Sequence, residues 1–285
     1  MLTQEEHELC AVRSNQIDYS RIASLHYLGN YTRELPVNMT RMVENAYDWE
    51  HLPFVHESSF SSISLIASGK WGWRARIGIP GGGIQLLDLI IDLSENYWVS
   101  TVISGPGEGT EIHTKATNIS NETIEVDVRF YLPEAPADQS VQEFVLKYLQ
   151  DQYRRLYDED QDLMSGRQEA LDTKAKLQKI TDKPEIQLVG NIAALSKDTS
   201  HITRLGKQRY VVRFHQGAWI AHGATCPHML GPLQDSAIDA PGTVTCPWHG
   251  YRFDIESGDN LDGKCASLGA APTVFEDNGQ LFLKV

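Results

Sequence analysis

The sequence predicts an α+β fold made of an antiparallel sheet, a long helix that follows it, and a separate small all-β domain. Strand-like segments separated by Gly- and Pro-containing turns fill residues 62–131, and an amphipathic helical pattern comes after them. Short strands and turns return from Glu185 onward. Since 285 residues are enough to bury two hydrophobic cores, we expect two domains rather than one.

Six strand-like segments form the predicted sheet of the first domain. Turns such as Pro80-Gly-Gly-Gly separate them, which is typical of an antiparallel meander. The predicted strands are residues 62–67, 71–77, 85–92, 97–103, 110–117 and 123–131.

A long helix should follow the last of these strands. Ser140 is a suitable N-cap, and from Phe144 to Leu156 apolar residues recur at steps of three and four, which places them on one helix face. A sheet with a long helix packed across it is a helix-grip (START-like) arrangement, whose concave face commonly encloses a ligand.

Four aromatic side chains are candidates to line a cavity on that concave face. An apolar core has the same composition as an apolar pocket, so the alternative for each is a plain core position. The four candidates are Trp49, Phe54, Trp71 and Trp73.

The helical pattern fades into a stretch rich in Lys and Asp that Pro184 closes. We interpret residues 172–184 as a linker, which makes residues 1–171 the first domain and residues 185–285 the second. The second domain should consist of short strands at residues 186–189, 209–215, 219–222, 243–246, 251–255 and 281–285.

The charge of the chain narrows the range of partners. A net charge of −13 argues against nucleic acid or an anionic membrane surface as the main partner, because both require basic patches. The first residues lack the pattern of a secretory signal, and the longest apolar run, residues 86–93, contains Asp88 and Asp92. We therefore expect a cytoplasmic protein without a membrane partner.

Two short motifs near the C-terminus carry metal-ligating side chains. Cys226-Pro-His228 and Cys246-Pro-Trp-His249 each supply one thiolate and one imidazole. Two thiolates and two imidazoles on two loops are the ligand set of a Rieske [2Fe–2S] cluster, which transfers single electrons. The alternative is a structural zinc site, but Cys-x-His is tighter than the usual spacing of zinc ligands.

The C-terminal hundred residues resemble the Rieske ferredoxin-like domain, including Tyr251-Arg-Phe-Asp254 after the second motif. In the respiratory and photosynthetic Rieske proteins each cluster loop also carries a disulfide cysteine. The equivalent positions in this chain are Gly231 and Trp248. The resemblance therefore implies the ferredoxin and oxygenase branch of that family.

A second set of candidate metal ligands lies near the N-terminus. Asp48 and His51 are three residues apart and would share a helix face, whereas His51 and His56 are five apart. The two imidazoles can meet at one ion only if the helix ends between them, and Pro53 gives it a reason to end. Two unrelated polar histidines are the alternative interpretation.

Two imidazoles and one carboxylate form the facial triad of non-haem Fe(II) oxygenases. The carboxylate would come from the acidic segment at residues 158–162 on the long helix. A solvent-facing acidic segment is the alternative, because runs of charge usually lie at the surface.

Taken with the cluster motif, these residues resemble the catalytic domain of Rieske non-haem iron oxygenases. Members carry Asn-x-x-Asp-x-x-His-x4-His, which Asn45, Asp48, His51 and His56 fill here. The resemblance implies a mononuclear iron held by both histidines and Asp160, with Asp158 or Asp162 as alternatives to Asp160. It also implies catalytic roles for Asn45 and Asp48.

In that family the aspartate at the position of Asp48 connects the two metal centres through a cluster-ligating histidine. His228 or His249 would be its partner here, and the alternative is that Asp48 only orients His51. Family members usually place the Rieske domain first, whereas this chain places it last. The resemblance implies a homotrimer with electron transfer between subunits, although the reversed order could bring the two centres together within one chain.

The resemblance predicts the oxygenase component of an electron-transfer chain. A separate NAD(P)H-dependent reductase, directly or through a ferredoxin, would reduce the cluster, and O₂ would be activated at the iron to hydroxylate, demethylate or dihydroxylate a small organic substrate. The short catalytic domain favours monooxygenation. The alternative function is a Rieske electron carrier fused to a ligand-binding helix-grip module without catalytic iron.

Overall fold

The computed structural model describes residues 2–239 and 242–284. The chain divides into two compact units, Met1–Ser165 and Gly166–Val285. The formal charge is unevenly divided, because residues 166–285 contain 13 basic and 13 acidic side chains and the net charge of −13 therefore belongs to residues 1–165. None of the helices in the described residues combines the length and apolar character that crossing a membrane requires.

The first unit is built on a seven-stranded antiparallel sheet, which confirms the predicted fold class. The strands lie in the order β1-β7-β6-β5-β4-β3-β2. The first two strands of the chain, β1 and β2, therefore form the opposite edges of the sheet. Their bounds are β1 His26–Leu35, β2 Ser62–Gly69, β3 Gly72–Gly78, β4 Ile84–Asp92, β5 Tyr97–Ser104, β6 Glu111–Asn118 and β7 Ile124–Leu132.

Strand β1 was not predicted, and its sequence explains why. The register with β7 shifts between Tyr27 and Gly29, so a bulge interrupts the alternation of apolar and polar residues. Gly29 has a φ of +151°, and a Cβ added there would lie 2.7 Å from Leu146 Cδ1 of the long helix. Glycine at this position thus allows the helix to pack closely against the sheet.

The N-terminal residues contact strands β3 and β4, where Glu6 pairs with Arg76 and Arg13 pairs with Asp88. Helix α1, Gln4–Ala11, starts with a capping box between Thr3 and Glu6, and a 3₁₀ turn spans Tyr19–Ser24. Two further helices connect β1 to β2, namely α2 at Met39–Tyr47 and α3 at Leu52–Val55.

The long helix α4 spans Gln139–Gln178. Its first turn is capped by Asp138, whose carboxylate accepts a hydrogen bond of 3.0 Å from the backbone N–H of Val141, so the predicted N-cap at Ser140 is wrong by two residues. The helix also includes residues 172–178, which the sequence analysis placed in a linker. No Gly or Pro interrupts the chain there before Pro184, and Lys, Ala, Leu and Gln are good helix formers.

In its described residues, the second unit contains the end of α4 and three small antiparallel sheets of three strands each. Two of these sheets contribute an apolar core that includes Val212, Trp219 and Leu281. The strands are β8 Ile186–Asn191, β9 His201–Leu205, β10 Gln208–His215, β11 Ala218–Gly223, β12 Ile238–Asp239, β13 Thr243–Thr245, β14 Arg252–Asp254, β15 Thr273–Asp277 and β16 Gln280–Lys284.

All six strand segments predicted for this unit coincide with observed strands, and the predicted all-β domain is confirmed. Strands β9, β12 and β15 were not predicted. Val285, the end of the predicted last strand, lies outside the described residues.

Candidate metal centres

The two histidines near the N-terminus lie at the two ends of one short helix. His51 is the N-terminal cap of α3 and His56 is its C-terminal cap, and the backbone N–H of His56 donates to the carbonyl of Leu52 at 3.0 Å. His51 keeps helical dihedral angles, whereas His56 leaves the helical region with φ −114° and ψ 46°. The five residues from His51 to His56 therefore do not follow one regular helix, and the two imidazoles can meet.

The predicted position of the helix break is wrong. Helix α2 already ends at Tyr47, and Asp48 has non-helical dihedral angles of φ −83° and ψ 85°. Asp48 and His51 therefore do not share a helix face. Pro53 lies in the first turn of α3, where its missing N–H costs no hydrogen bond, so it begins a helix rather than ending one.

Helix α4 brings a carboxylate to the two imidazoles. Asp160 lies on the buried stripe of this helix, in line with Tyr157 and Met164. Its Oδ1 atom is 3.0 Å from His56 Nε2 and 3.4 Å from His51 Nε2, and the two Nε2 atoms are 3.3 Å apart. All three side chains are buried.

This triangle of donor atoms fits one metal ion. Three ligands bound at right angles about 2.1 Å from an ion are about 3.0 Å apart, close to the separations observed. Within the described residues, His51, His56 and Asp160 form the one group of three or more potential ligands whose ligand atoms all lie within 4.8 Å of one another. One face of an ion held there would remain open, as in the facial triad.

The other two acidic candidates on α4 point elsewhere. Asp158 forms an ion pair of 2.6 Å with Arg33 of β1, and its side chain is 58 % exposed. Asp162 is exposed. The geometry therefore favours Asp160 over both alternatives.

A further carboxylate contacts the imidazole of His56. Glu159 Oε2 is 2.7 Å from His56 Nδ1. The corresponding atom of His51 lies 3.5 Å from Asp48 Oδ2, at the limit of a hydrogen bond. No role was predicted for Glu159. Metal-bound histidines commonly donate their second N–H to a carboxylate, but the sequence does not show which of the neighbouring acidic residues supplies it.

The charges of the triad stabilise one another. Burial lowers the pKa of His51, but the neighbouring carboxylates of Asp160 and Asp48 outweigh burial and raise this pKa to about 10. Burial likewise raises the pKa of Asp160, yet the charge of His56 and hydrogen bonds from both imidazoles hold it well below its usual range. Without a bound ion, an ionised Asp160 is therefore balanced by a protonated His51.

A cavity of about 120 Å³ lies beside the triad. Asn45 and Asp48 also line it, and the buried Oδ1 of Asn45 has no hydrogen-bond partner within the described part of the chain. The rest of the wall is mainly apolar and aromatic: Met42, Leu52, Phe60, Trp73, Leu87, Leu89, Trp98, Tyr153, Leu156 and Tyr157.

Of the four aromatic residues expected to line the cavity, Trp73 does so. Trp49 instead packs into the core beside Trp73, and Phe54 is 44 % exposed. Trp71 is outside the wall, and the guanidinium of Arg74 lies 5.4 Å from its ring centroid. Further aromatic surface comes from residues that were not predicted, namely Phe60, Trp98, Tyr153 and Tyr157.

In the second unit, the two cysteine-histidine motifs form loops with the same backbone pattern. The N–H of each cysteine donates to the carbonyl five residues later, at 2.9 Å from Cys226 to Gly231 and at 2.8 Å from Cys246 to Tyr251. Each cysteine carbonyl accepts from the N–H four residues later, where Leu230 and Gly250 have φ angles of 65° and 67°. The two loops thus have equivalent backbone conformations around their cysteines.

The four predicted cluster ligands lie together between these loops. Cys226, Cys246 and His249 are buried, and the rings of His228 and His249 have centroids 4.6 Å apart. Tyr251 stacks on His228 with a centroid distance of 4.7 Å. The arrangement brings two sulfurs and two imidazoles to one place, which fits the ligands of a two-iron cluster.

The two thiols are coupled electrostatically. A hydrogen bond between Cys226 and Cys246 lowers the pKa of Cys246 and raises that of Cys226, and burial raises both. A hydrogen bond with His249 lowers the pKa of Cys246 further. One of the two sulfurs is therefore readily ionised, as a metal ligand must be.

The chain matches the family model of the Rieske [2Fe-2S] domain at residues 185–272. The C-terminal part of the chain is thus a Rieske domain, as its motifs predicted.

Short segments of this chain are similar to two known proteins. Pheophorbide a oxygenase, chloroplastic, from Oryza sativa subsp. japonica is 45 % identical over 38 residues, which are 13 % of this chain and 7 % of that protein. Cholesterol 7-desaturase nvd 1 from Ciona intestinalis is 37 % identical over 67 residues, 24 % of this chain and 13 % of the relative. The matched part is thus a small fraction of each relative.

Two solved structures resemble one part of the chain each. A START superfamily protein from Mycobacterium smegmatis covers 47 % of this chain and 97 % of its own, with 13 % identity and a TM-score of 0.40. The ferredoxin of carbazole 1,9a-dioxygenase from Nocardioides aromaticivorans IC177 covers 35 % of this chain and 98 % of its own, with 19 % identity and a TM-score of 0.31.

Proposed function

We propose that this chain is the oxygenase component of a Rieske non-haem iron oxygenase. The observation that carries the proposal is the convergence of His51, His56 and Asp160, whose donor atoms lie 3.0 to 3.4 Å apart beside an apolar cavity. The Rieske domain at residues 185–272 supports it, because a cluster that transfers single electrons supplies what such an iron site consumes. The oxygenase named among the relatives is consistent with this proposal.

We assign the candidate ligands to two metal groups. Cys226, Cys246, His228 and His249 would hold the cluster, and the triad would hold an Fe(II) ion. When bound, the two groups supply single-electron transfer and the activation of O₂.

Residues around the triad would orient the two imidazole ligands and exclude water from the cavity. Glu159 and Asp48 face the Nδ1 atoms of the two imidazoles, which leaves the Nε2 atoms for the ion. The apolar wall keeps the cavity dry, and the unpartnered Oδ1 of Asn45 can accept a hydrogen bond from a polar group of the substrate. We propose that Asp48 also connects this site to His228 or His249.

The size of the cavity limits the substrate. A cavity of about 150 Å³ accommodates benzene, so about 120 Å³ fits a small organic group at the reacting position. We propose hydroxylation, demethylation or dihydroxylation of such a substrate, with monooxygenation favoured.

We further propose that a separate NAD(P)H-dependent reductase, directly or through a ferredoxin, supplies the electrons. The protein would act in the cytoplasm as a homotrimer with electron transfer between neighbouring subunits. An active, monodisperse monomer in size-exclusion chromatography would contradict the trimer.

Oxygen consumption tests the proposed reaction. With a surrogate reductase, NADH and a panel of small aromatic and N- or O-methylated compounds, the wild-type protein should consume O₂ in a substrate-dependent manner. His51→Ala should abolish this consumption while the visible spectrum of the cluster stays unchanged. Unaltered turnover by His51→Ala would rule out the assigned iron site.

A further inference from the structure

One carboxylate beside the triad is not a member of it. Glu159 Oε2 lies 2.7 Å from His56 Nδ1, and the side chain of His56 is 1 % exposed, whereas that of Glu159 is 30 % exposed. This contact is on the opposite edge of the imidazole from Nε2, the atom that faces Asp160 and His51. Glu159 therefore does not compete with Asp160 for the same ion.

The contact determines which nitrogen of His56 can bind a metal. A neutral imidazole carries its proton on one nitrogen and a lone pair on the other, and a carboxylate at Nδ1 retains the proton there. The lone pair then lies on Nε2 and points into the triad. A hydrogen bond to a carboxylate also increases the electron density on the ring, which strengthens Nε2 as a ligand.

The two histidines of the triad differ in this respect. His56 has a short contact of 2.7 Å to a carboxylate, but the Nδ1 atom of His51 is 3.5 Å from Asp48. His56 is thus the more firmly oriented of the two ligands.

Three successive acidic residues of α4 make three different contacts. Asp158 pairs with Arg33 of β1 at 2.6 Å, Glu159 contacts His56, and Asp160 belongs to the triad. The Arg33 pair ties this turn of α4 to the sheet, so the turn presents the ligand and the orienting carboxylate together. His56 in turn is fixed at the end of α3 by its backbone hydrogen bond to Leu52.

We propose that Glu159 is a positioning residue that fixes the tautomer and orientation of His56 and thereby strengthens metal binding at the triad. The inference rests on the proposed function only in that the triad must bind a metal ion. Loss of an orienting carboxylate typically weakens metal binding by about 10- to 100-fold.

Cobalt binding to the full-length protein tests this inference. The triad is first depleted by dialysis against a chelator under conditions that keep the cluster spectrum intact, and Co(II) is then titrated while its d–d absorption is followed. Glu159→Ala should bind Co(II) about 10- to 100-fold more weakly than wild type. Glu159→Gln should lie between the two, because its amide oxygen still accepts from Nδ1–H but carries no charge.

Asp162→Asn is the matched control, since Asp162 lies exposed on the same helix and should leave Co(II) affinity unchanged. His56→Ala should abolish binding at the triad. Wild-type affinity in both Glu159 variants, with binding lost in His56→Ala, would overturn the role of Glu159 and leave the proposed function standing. Absence of Co(II) binding in the wild-type protein would overturn both. Circular dichroism and the cluster spectrum check that each variant is folded, and the intermediate affinity of Glu159→Gln separates orientation from a general structural defect.

Discussion

A methyl group at Gly231 should disturb the loops that hold the cluster. A Cβ added at this position would lie 2.8 Å from Cys246 Sγ and 3.1 Å from Cδ2 of Trp248. Ordinary contacts begin at 3.4 Å, so the sulfur or the Gly231 backbone must retreat by about 0.6 Å. Neither can do so freely, because the backbones of both loops are held by the hydrogen bonds at Cys226 and Cys246.

The cost of this overlap sets the size of the expected effect. Overpacking a well-packed site costs about 1–3 kcal/mol. If the cost falls on the cluster-bound state, cluster retention weakens by about 5- to 150-fold. We expect Gly231→Ala to be purified with less iron and less acid-labile sulfide per chain than wild type, and to lose its visible absorption faster on dialysis.

Gly190→Ala is the matched control for this experiment. A Cβ at Gly190 would have its nearest neighbour, Leu195 Cδ2, at 3.4 Å, so this variant should retain the cluster as wild type does. Full cluster content and unchanged retention in Gly231→Ala would refute the steric reasoning. Circular dichroism separates loss of the cluster from loss of the fold.

Two further substitutions, each with a control, test the metal triad and an ion pair in the sheet. Asp160→Ala should abolish Co(II) binding at the triad, whereas Asp162→Asn should bind normally, and a Co(II) titration in which the two variants behave alike would contradict the assignment. Asp88→Asn should lower the free energy of unfolding by about 3–5 kcal/mol in urea denaturation, because it leaves the buried guanidinium of Arg74 without its counter-ion. The exposed ion pair of Asp127 with Arg129 contributes at most about 1 kcal/mol, so Asp127→Asn is the control and an equal effect of both changes would count against the buried pair.

The sequence predicted the sheet and the long helix well because their patterns are regular. Strand β1 was missed because the bulge between Tyr27 and Gly29 breaks its alternation. The close approach of Leu146 to Gly29 is a contact that no local pattern reveals. The end of α4 was placed too early because a Lys/Asp-rich stretch is equally compatible with a linker and with an exposed helix.

For the triad, spacing and residue type singled out three residues whose donor atoms the fold brings together, but the local structure predicted around them is wrong. Pro53 fits either the end of one helix or the first turn of the next, and only the backbone hydrogen bonds decide between them. Glu159 could not be distinguished from its neighbours Asp158 and Asp160 by sequence alone, because their roles depend on which element each side chain meets across the fold.

An iron count tests most directly whether the chain binds a mononuclear iron in addition to the cluster. Reconstituted wild-type protein should contain three iron atoms per chain, and Asp160→Ala should contain two with the same electron paramagnetic resonance spectrum of the reduced cluster. Two iron atoms per chain in the wild-type protein would contradict the claim.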